Sequence, residues 1–217
     1  MLSAYDLATI IERLAHGAIA DDVIDDRSRA AVAVVFRARD GVSADAAQFV
    51  AGNAASFEAE VLLMQRAERD GDPWSGHVSF PGGRRDPSDE TLLATAIRET
   101  REEVGIDLRR DARLVAHLPD LPAVARSRRI DLTITPFVFV LDRDCAITPN
   151  HEVASVVWAP IGSLARGETA GTLDYVHEGT PHRLPTLRVG ELVVWGLTHM
   201  MLQQLFEALH RKDSAGA

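Results

Sequence analysis

A glycine-bounded acidic segment at residues 82–106 constrains the fold more than any other part of the chain. It reads GGRRDPSDETLLATAIRETREEVGI. The pattern predicts a helix from about Ser88 to Val104, with Ser88 as its N-cap and Gly105 ending it. One narrow apolar stripe runs along this helix, so it has to pack on a core that the rest of the chain supplies. The stripe consists of Leu93, Ile97, Thr100 and Val104.

Three carboxylates, those of Glu99, Glu102 and Glu103, share an arc roughly 140° from that stripe. Most charge clusters on helices are solvated faces, but two features favour a metal site here. Glu99 and Glu103 are four residues apart and repel each other unless a cation lies between them. The preceding Gly82-Gly83 pair lets the backbone approach a metal or phosphate closely. Hard oxygen ligands suit Mg²⁺ or Mn²⁺, so the sequence predicts such a site.

The spacing of these residues resembles the Nudix box, the signature of hydrolases that cut diphosphates linked to a nucleoside. Two departures stand out: the gap from Gly83 to Glu90 is one residue longer than usual, and Thr100 replaces a larger aliphatic residue. The matching frame comprises Gly83, Glu90, Arg98-Glu99, Glu102-Glu103 and Gly105-Ile106.

The resemblance assigns roles to these positions. It implies that Glu99 and Glu103 are the main metal ligands, helped by Glu102 and by the backbone carbonyl of Gly83. It also implies that Arg98 pairs with Glu90 and fixes the loop against the helix. An i, i+4 surface pair between Arg98 and Glu102 is the alternative for that arginine.

Residues 62–83, LLMQRAERDGDPWSGHVSFPGG, resemble the segment that precedes the box in the coenzyme A pyrophosphatase branch of the family. Leu62-Leu63, Arg66-Ala67, Gly76 and Phe80-Pro81-Gly82-Gly83 match, whereas the branch's second arginine does not, and the spacing is one residue longer. Trp195-Gly196-Leu197-Thr198 opens a terminal helix as that branch often does. Planar guanidinium groups bind phosphate oxygens bidentately, so Arg66 and Arg69 are candidate substrate contacts, with Gly82 and Gly83 beside them.

The implied reaction is attack of a metal-activated water on a phosphorus atom. Glu103 and Glu99 would hold the metal, and Glu102 would be a third ligand or a proton acceptor. A general base can instead come from a later loop, where Glu152 is the candidate, although a solvated loop acid explains it equally well. Two further side chains are open: Trp74 could stack on a base or cover an apolar edge, and His77 could touch substrate or be structural.

Three functional hypotheses follow from these patterns. The first is hydrolysis of coenzyme A or its derivatives to 3′,5′-ADP and 4′-phosphopantetheine. The second is a Nudix pyrophosphatase for ADP-ribose, NADH or dinucleoside polyphosphates. The third is a non-catalytic nucleotide-sensing module, which the intact glutamate trio and the absence of a basic DNA-binding region disfavour.

Composition narrows the partners. A formal net charge of −9 argues against nucleic-acid binding, and the substrate is expected to be a small nucleoside diphosphate derivative. No apolar stretch approaches the ~20 residues of a membrane span, and no signal pattern begins the chain. The single cysteine, Cys145, excludes an internal disulfide and fits a reducing cytoplasm, which is the expected location.

The remaining patterns predict an α/β fold, a Nudix-type α/β/α sandwich with a mixed β-sheet between helices. We expect a lead-in helix within 1–28, a hydrolase domain over 29–211 and a tail over 212–217. The apolar faces of the first and last helices could each support a homodimer, or pack within the chain. Helices are predicted at 4–16 and 195–211, strands at 30–37, 58–65, 112–118, 132–141 and 153–158, a short strand within 187–194, a loop or hairpin at 40–55 and irregular chain at 164–180.

Overall fold

Two apolar strands pair in parallel at the centre of the molecule. The computed structural model describes residues 5–15, 28–39, 58–72, 74–125, 128–177 and 179–210. Strand β1 (Arg29–Ala38) runs beside β7 (Arg128–Leu141), in register from Arg29 opposite Thr133 to Phe36 opposite Val140. Residues 30–36 of β1 are all buried, because their nearly continuous apolar run is covered on both faces.

The other strands of this sheet pair antiparallel around that centre, which makes the sheet mixed. The order along its main path is β3-β2-β1-β7-β5, while β4 pairs with β1, β6 with β7 and β8 with β2. Their bounds are β2 (Ala59–Arg66), β3 (Val78–Ser79), β4 (Gly82–Arg84), β5 (Ala112–His117), β6 (Leu121–Ala125) and β8 (Val153–Pro160). A second, antiparallel sheet contains β9 (Ala170–His177), β10 (Thr180–Val189) and β11 (Leu192–Val194).

Helices cover both faces of the central sheet, which confirms the predicted α/β/α sandwich. Val34 and Phe36 of β1 point into one hydrophobic cluster with α1 (Leu7–Leu14) and α5 (Gly196–His210). Alternate residues of the same strand point into a second cluster with α2 (Leu92–Val104) and the short α3 (Leu108–Asp111). A further short helix, α4 (Ile161–Ala165), follows β8.

Several predicted elements differ from the observed ones. Residues 164–180 are not irregular, because they contain the end of α4 and all of β9. The short strand predicted within 187–194 is present as β11, and the end of β10 lies in the same range. The strands predicted at 30–37, 58–65, 112–118, 132–141 and 153–158 are confirmed within a few residues at each end. The predicted loop or hairpin at 40–55 lies outside the described residues.

The helix of the acidic segment also begins later than predicted. Thr91, not Ser88, is its N-cap, since the Thr91 side chain accepts a hydrogen bond from Ala94 N. Ser88 is held in the preceding turn, where its hydroxyl donates to Asp86 at 2.6 Å. Gly105 ends the helix as predicted, with a left-handed φ of 79°.

The described part of the chain contains no helix that is both long and apolar enough to cross a membrane. The proposed domain bounds of 29–211 stay a prediction.

Candidate active site

Two adjacent glycines of β4 allow the helix α2 to approach the central sheet. At Gly82 an added Cβ would lie 2.3 Å from the carbonyl oxygen of Ala31, and the backbone φ is 149°. At Gly83 an added Cβ would lie 2.5 Å from the carboxylate of Glu99. Only glycine fits at Gly82, where the contacts are with backbone, and a side chain at Gly83 would displace the Glu99 carboxylate. The two glycines therefore form a surface without side chains, the glycine floor, on which carboxylates of the helix rest.

Glu103 reaches this floor from the buried side of the helix. The residue is 2% exposed, and its Oε2 accepts a hydrogen bond of 2.7 Å from the backbone N–H of Gly82. Burial, together with the charge of the neighbouring Glu99, raises the pKa of Glu103 to about 8, although the hydrogen bond from Gly82 lowers it. Burial also raises the pKa of Glu99, although Arg98 partly offsets this.

Glu99 and Glu103 therefore share a poorly hydrated space against Gly82-Gly83, where ionising both is costly. A hard divalent cation would remove that cost, because carboxylate oxygens are its preferred ligands. The donor set thus fits Mg²⁺ or Mn²⁺, the metals predicted from the sequence.

Glu102 lies apart from this pair. Its side chain is 55% exposed and forms an i, i+4 ion pair of 3.0 Å with Arg98. Within the described residues, no three acidic, histidine or cysteine side chains converge as metal ligands would. The structure therefore brings two of the three predicted carboxylates together, since Glu102 turns toward the guanidinium and water.

The partner of Arg98 is Asp89 rather than the predicted Glu90. Arg98 Nε and Nη2 donate to the Asp89 carboxylate at 3.0 and 2.9 Å, whereas Glu90 is exposed. Burial would raise the pKa of Asp89, but hydrogen bonds from Arg98, from the backbone of Asp86 and from Thr95 outweigh it and lower the pKa. In the sequence, Asp89 rather than Glu90 stands at the family's usual spacing from Gly83. That spacing was the feature that could have identified Asp89 as the partner of Arg98.

Arg98 links the loop to the metal-binding side of the helix. Besides Asp89, its guanidinium pairs with Glu99 at 2.9 Å and donates to the backbone carbonyl of Arg84 at 3.3 Å. The helix, the loop before it and β4 are therefore joined through one side chain, as the resemblance implied for this arginine.

A cleft of about 440 Å³ opens beside Gly82-Gly83. One part of its wall is cationic and carries Arg66, Arg69 and Arg84. Another part is apolar and aromatic, formed by strands of the central sheet and by the start of α5. This part includes Ala30, Val32, Trp74, Phe80, Trp195 and Leu197.

The two arginines predicted to contact substrate both lie on this cleft with acidic partners. Arg66 donates to Asp72 at 2.6 Å, while its Nε is buried and has no hydrogen-bond partner. Arg69 pairs with Glu152, the candidate base, at 3.3 Å. Glu152 also contributes to the raised pKa of Glu103, which places its charge near the paired glutamates.

Sequence reasoning did not assign Arg84 or Trp195 to the site. Arg84 directly follows the glycine pair on β4, so its position in the chain could have placed it at the site. Trp195 lies more than a hundred residues away, and only the fold brings it to the cleft.

Comparison with known proteins identifies the family. The NUDIX domain model matches residues 47–178. The chain is 32% identical over 149 residues to the Nudix hydrolase NudL of Yersinia pestis (strain Pestoides F), a match that covers 68% of this chain and 71% of that protein. It is 30% identical to NudL of Photorhabdus laumondii, with 66% and 74% covered. The chain belongs to the Nudix family.

Within that family the protein is a pyrophosphohydrolase. It is also 41% identical over 107 residues to the protein C14C4.10c of Schizosaccharomyces pombe, over 48% of this chain but only 32% of that longer protein. The crystal structure of a MutT/nudix family protein from Enterococcus faecalis has the same fold, with a TM-score of 0.52 and 16% identity over 93% of this chain and 68% of that one.

Proposed function

We propose that the protein hydrolyses the diphosphate bond of coenzyme A or a coenzyme A derivative, releasing 3′,5′-ADP and 4′-phosphopantetheine. The observation that carries the proposal is the convergence of Glu99 and Glu103 on Gly82-Gly83 beside a cleft with arginines on its wall. This arrangement has one place for a cation and, next to it, cationic groups for phosphate oxygens.

Nudix hydrolases generally use divalent metal ions. Here Glu99 and Glu103 would hold Mg²⁺ or Mn²⁺, with the Gly83 carbonyl and Glu102 as additional ligands. Glu102 is exposed, so a rotation of its side chain away from Arg98 needs no repacking. Once bound, the metal supplies an activated water and neutralises charge on the phosphate oxygens.

The chain's own groups bind and orient the diphosphate. Arg66 has a buried Nε without a partner, which a phosphate oxygen would satisfy. Arg69 is more exposed and would leave Glu152 for a second phosphate oxygen. That exchange would free Glu152 to accept a proton near Glu103, which is the role we assign to it. Arg98 acts by holding the loop and Glu99 in place.

The choice of coenzyme A over other diphosphates is supported by the motif at residues 62–83 and by the cleft. Beyond its arginines, the cleft has an apolar wall that includes Leu132, Ile134 and Met201. A long, uncharged pantetheine arm can lie along such a wall without leaving charges unpaired. ADP-ribose and NADH carry more polar groups on the same side of the diphosphate.

A substrate panel with one inactive variant tests the proposal. Coenzyme A, an acyl-coenzyme A, ADP-ribose, NADH and a dinucleoside tetraphosphate are assayed with and without Mg²⁺. We expect metal-dependent release of 3′,5′-ADP from the coenzyme A substrates with the highest kcat/KM. Glu103→Gln should lower turnover by at least about a hundredfold, because one carboxylate of the pair is lost.

Glu90→Gln is the matched control, because Glu90 is exposed on the same segment and should leave turnover unchanged. Equal kcat/KM for coenzyme A and ADP-ribose would refute the substrate assignment. Wild-type turnover by Glu103→Gln would refute the metal assignment.

A further inference from the structure

Three aromatic side chains from separate segments meet beside the cleft, and two of them line it. The His77 ring lies 4.4 Å from the Trp195 ring, and the Tyr175 ring lies 5.6 Å from it, between centroids. His77 precedes β3, Tyr175 belongs to β9, and Trp195 follows β11. We refer to His77, Tyr175 and Trp195 as the aromatic cluster. Trp195 and His77 both line the cleft wall.

The fold fixes the position of Trp195. The preceding Val194 is fully buried, and the following Gly196 has a φ of 62°, so the chain turns sharply there into α5. Thr198, in the first turn of α5, donates its hydroxyl hydrogen to the carbonyl of Val78 at 2.9 Å. That bond ties the start of the helix to β3, next to His77, and so supports the ring contact between Trp195 and His77.

The two tryptophans of the cleft differ in what they contact. The Trp74 ring packs against the main hydrophobic cluster, and its backbone N–H is held by Asp72 at 2.9 Å. Trp195 is partly exposed, and its described ring contacts are with the other members of the aromatic cluster. Both indoles line the cleft and are partly exposed, but Trp195 packs on His77 and Tyr175 and Trp74 packs on the hydrophobic cluster.

The electrostatics of this corner suit a flat, neutral ring. Burial lowers the pKa of His77 against the nearby carboxylate of Asp72, and the charge of Arg66 lowers it as well, so the neutral imidazole is favoured. The cationic side chains on the same cleft wall are those of Arg66, Arg69 and Arg84. The cleft thus carries both aromatic faces and guanidinium groups, the two kinds of group that a nucleotide's base and phosphates require.

We propose that Trp195, supported by His77 and Tyr175, stacks on the nucleobase of the substrate. The proposal rests on the proposed function, because the base is taken to belong to the nucleoside half of a diphosphate substrate. The Trp195 face supplies the stacking surface, and the two neighbouring rings hold the indole in its orientation. The base would then lie at this corner and the diphosphate at the arginines.

Binding of two probes that differ only in the base tests this site. AMP and ribose 5-phosphate carry the same phosphate and sugar, and neither has a diphosphate bond to cleave. We expect Trp195→Ala to weaken AMP binding about tenfold in calorimetric titrations while ribose 5-phosphate is unaffected. Trp195→Phe keeps an aromatic face and should bind AMP within about threefold of wild type.

The matched control is Trp158→Phe, because Trp158 lies under Arg37 outside the cleft and should not affect AMP. Unchanged AMP affinity in Trp195→Ala would overturn the proposal, and so would an equal loss for both probes. A loss of 4′-phosphopantetheine binding in place of AMP binding would assign the cluster to the other half of the substrate and also overturn it.

Two further results separate this proposal from folding defects and from the proposed function. If Trp195→Ala does not fold, Tyr175→Leu replaces it, with a weaker loss of AMP binding expected and an unchanged affinity contradicting the proposal. If the enzyme cleaves no diphosphate of the panel but binds AMP through Trp195, the proposed function fails and the base site stands.

Discussion

At the residue scale, the chemistry of the site depends on two glutamates that share little water. Glu103 is nearly inaccessible and Glu99 is half-buried, and the positive group beside them, Arg98, is already paired with Asp89. Their charge is therefore not fully compensated by the protein. A bound cation therefore stabilises this pair more than it would stabilise a pair of surface acids. For the same reason the pKa values of both glutamates are raised above those of surface acids.

The first prediction concerns the stability of the metal-free protein. The pKa of Glu103 is about 8 in the folded state against 4.5 in the unfolded chain. Protonation of Glu103 therefore stabilises the folded state. This stabilisation is complete below pH 4.5 and is lost as the pH rises through 8. In EDTA, the free energy of unfolding from urea titrations should fall by about 2 kcal/mol between about pH 6.5 and 8.5.

Glu103→Gln should remove most of this slope, because the amide does not ionise and still accepts the Gly82 hydrogen bond. Added Mg²⁺ should also remove it. The same slope in the variant and in wild type would show that Glu103 is not the titrating group.

The second prediction compares Asp89 with its neighbour Glu90. Asp89 is 6% exposed and accepts hydrogen bonds from Arg98, Thr95 and the Asp86 backbone, whereas Glu90 is exposed. We expect Asp89→Ala to cost about 1–3 kcal/mol in urea unfolding and to lower kcat, because donors are left unpaired and Arg98 is released. Glu90→Ala should stay within about 0.5 kcal/mol of wild type. Equal effects of the two substitutions would contradict the assignment.

At this scale the sequence predicted Glu99, Glu103, Gly82 and Gly83 as a group, because all lie in one short segment whose geometry is local. It was wrong about the partner of Arg98. The prediction used Glu90, although the gap from Gly83 to Glu90 is one residue longer than usual in the family. The conformation of the loop before the helix decides which acid turns inward, and that conformation does not follow from periodicity.

At the scale of elements, the start of α2 shows why predicted helix ends shift. Asp86 accepts from the backbone and hydroxyl of Ser88 and its carbonyl accepts from Asp89 N, so residues 86–89 form a turn. The helix begins only after that turn. The short strands β3 and β4 were not predicted either, because strands of two or three residues have no detectable alternation.

Strand β9 did carry a signal that was missed. Leu173 and Tyr175 alternate with exposed residues along it, which is the period of a half-buried strand. Gly167 lies just before this strand and Gly171 lies within it, and glycine is unfavourable in strands.

The third prediction tests the N-cap of α2. Because Thr91 Oγ1 accepts from Ala94 N at 2.9 Å, Thr91→Ala should lower the free energy of unfolding by about 1 kcal/mol. Ser88→Ala is the control, and we expect it to change stability by less than about 0.5 kcal/mol because Ser88 is exposed and outside the helix. A larger loss at Ser88 than at Thr91 in urea titrations would place the N-cap where the sequence suggested.

At the scale of the whole molecule, the two faces of the sheet have separate tasks. The face under α2 carries the glutamates. The opposite face packs on α1 and α5 and also supplies the apolar wall of the cleft. Tyr5 bonds His210 at 2.8 Å, which joins the first and last helices. The sequence predicted this layering well, because amphipathic helices and apolar strands leave few other ways to bury their surfaces.

The fourth prediction concerns α1, which does not line the cleft. Ile10 is fully buried in the cluster under this helix, and Ile11 is only partly buried beside it. Ile10→Ala should cost about 2–5 kcal/mol in the free energy of unfolding, and Ile11→Ala clearly less. Both should keep wild-type kcat/KM at 25 °C where they remain folded. A selective loss of activity without a loss of stability would indicate that α1 takes part in the reaction.

The parallel pairing of β1 with β7 has a consequence for how the chain acquires its structure. Arg29 and Thr133 are partners in that ladder although about a hundred residues separate them. During synthesis, β1 leaves the ribosome long before β7 has been made. The edge of β1 that pairs with β7 therefore stays unpaired in the meantime. Contacts so distant along the chain slow folding, so we expect β1 to be the segment of the nascent protein most dependent on chaperones.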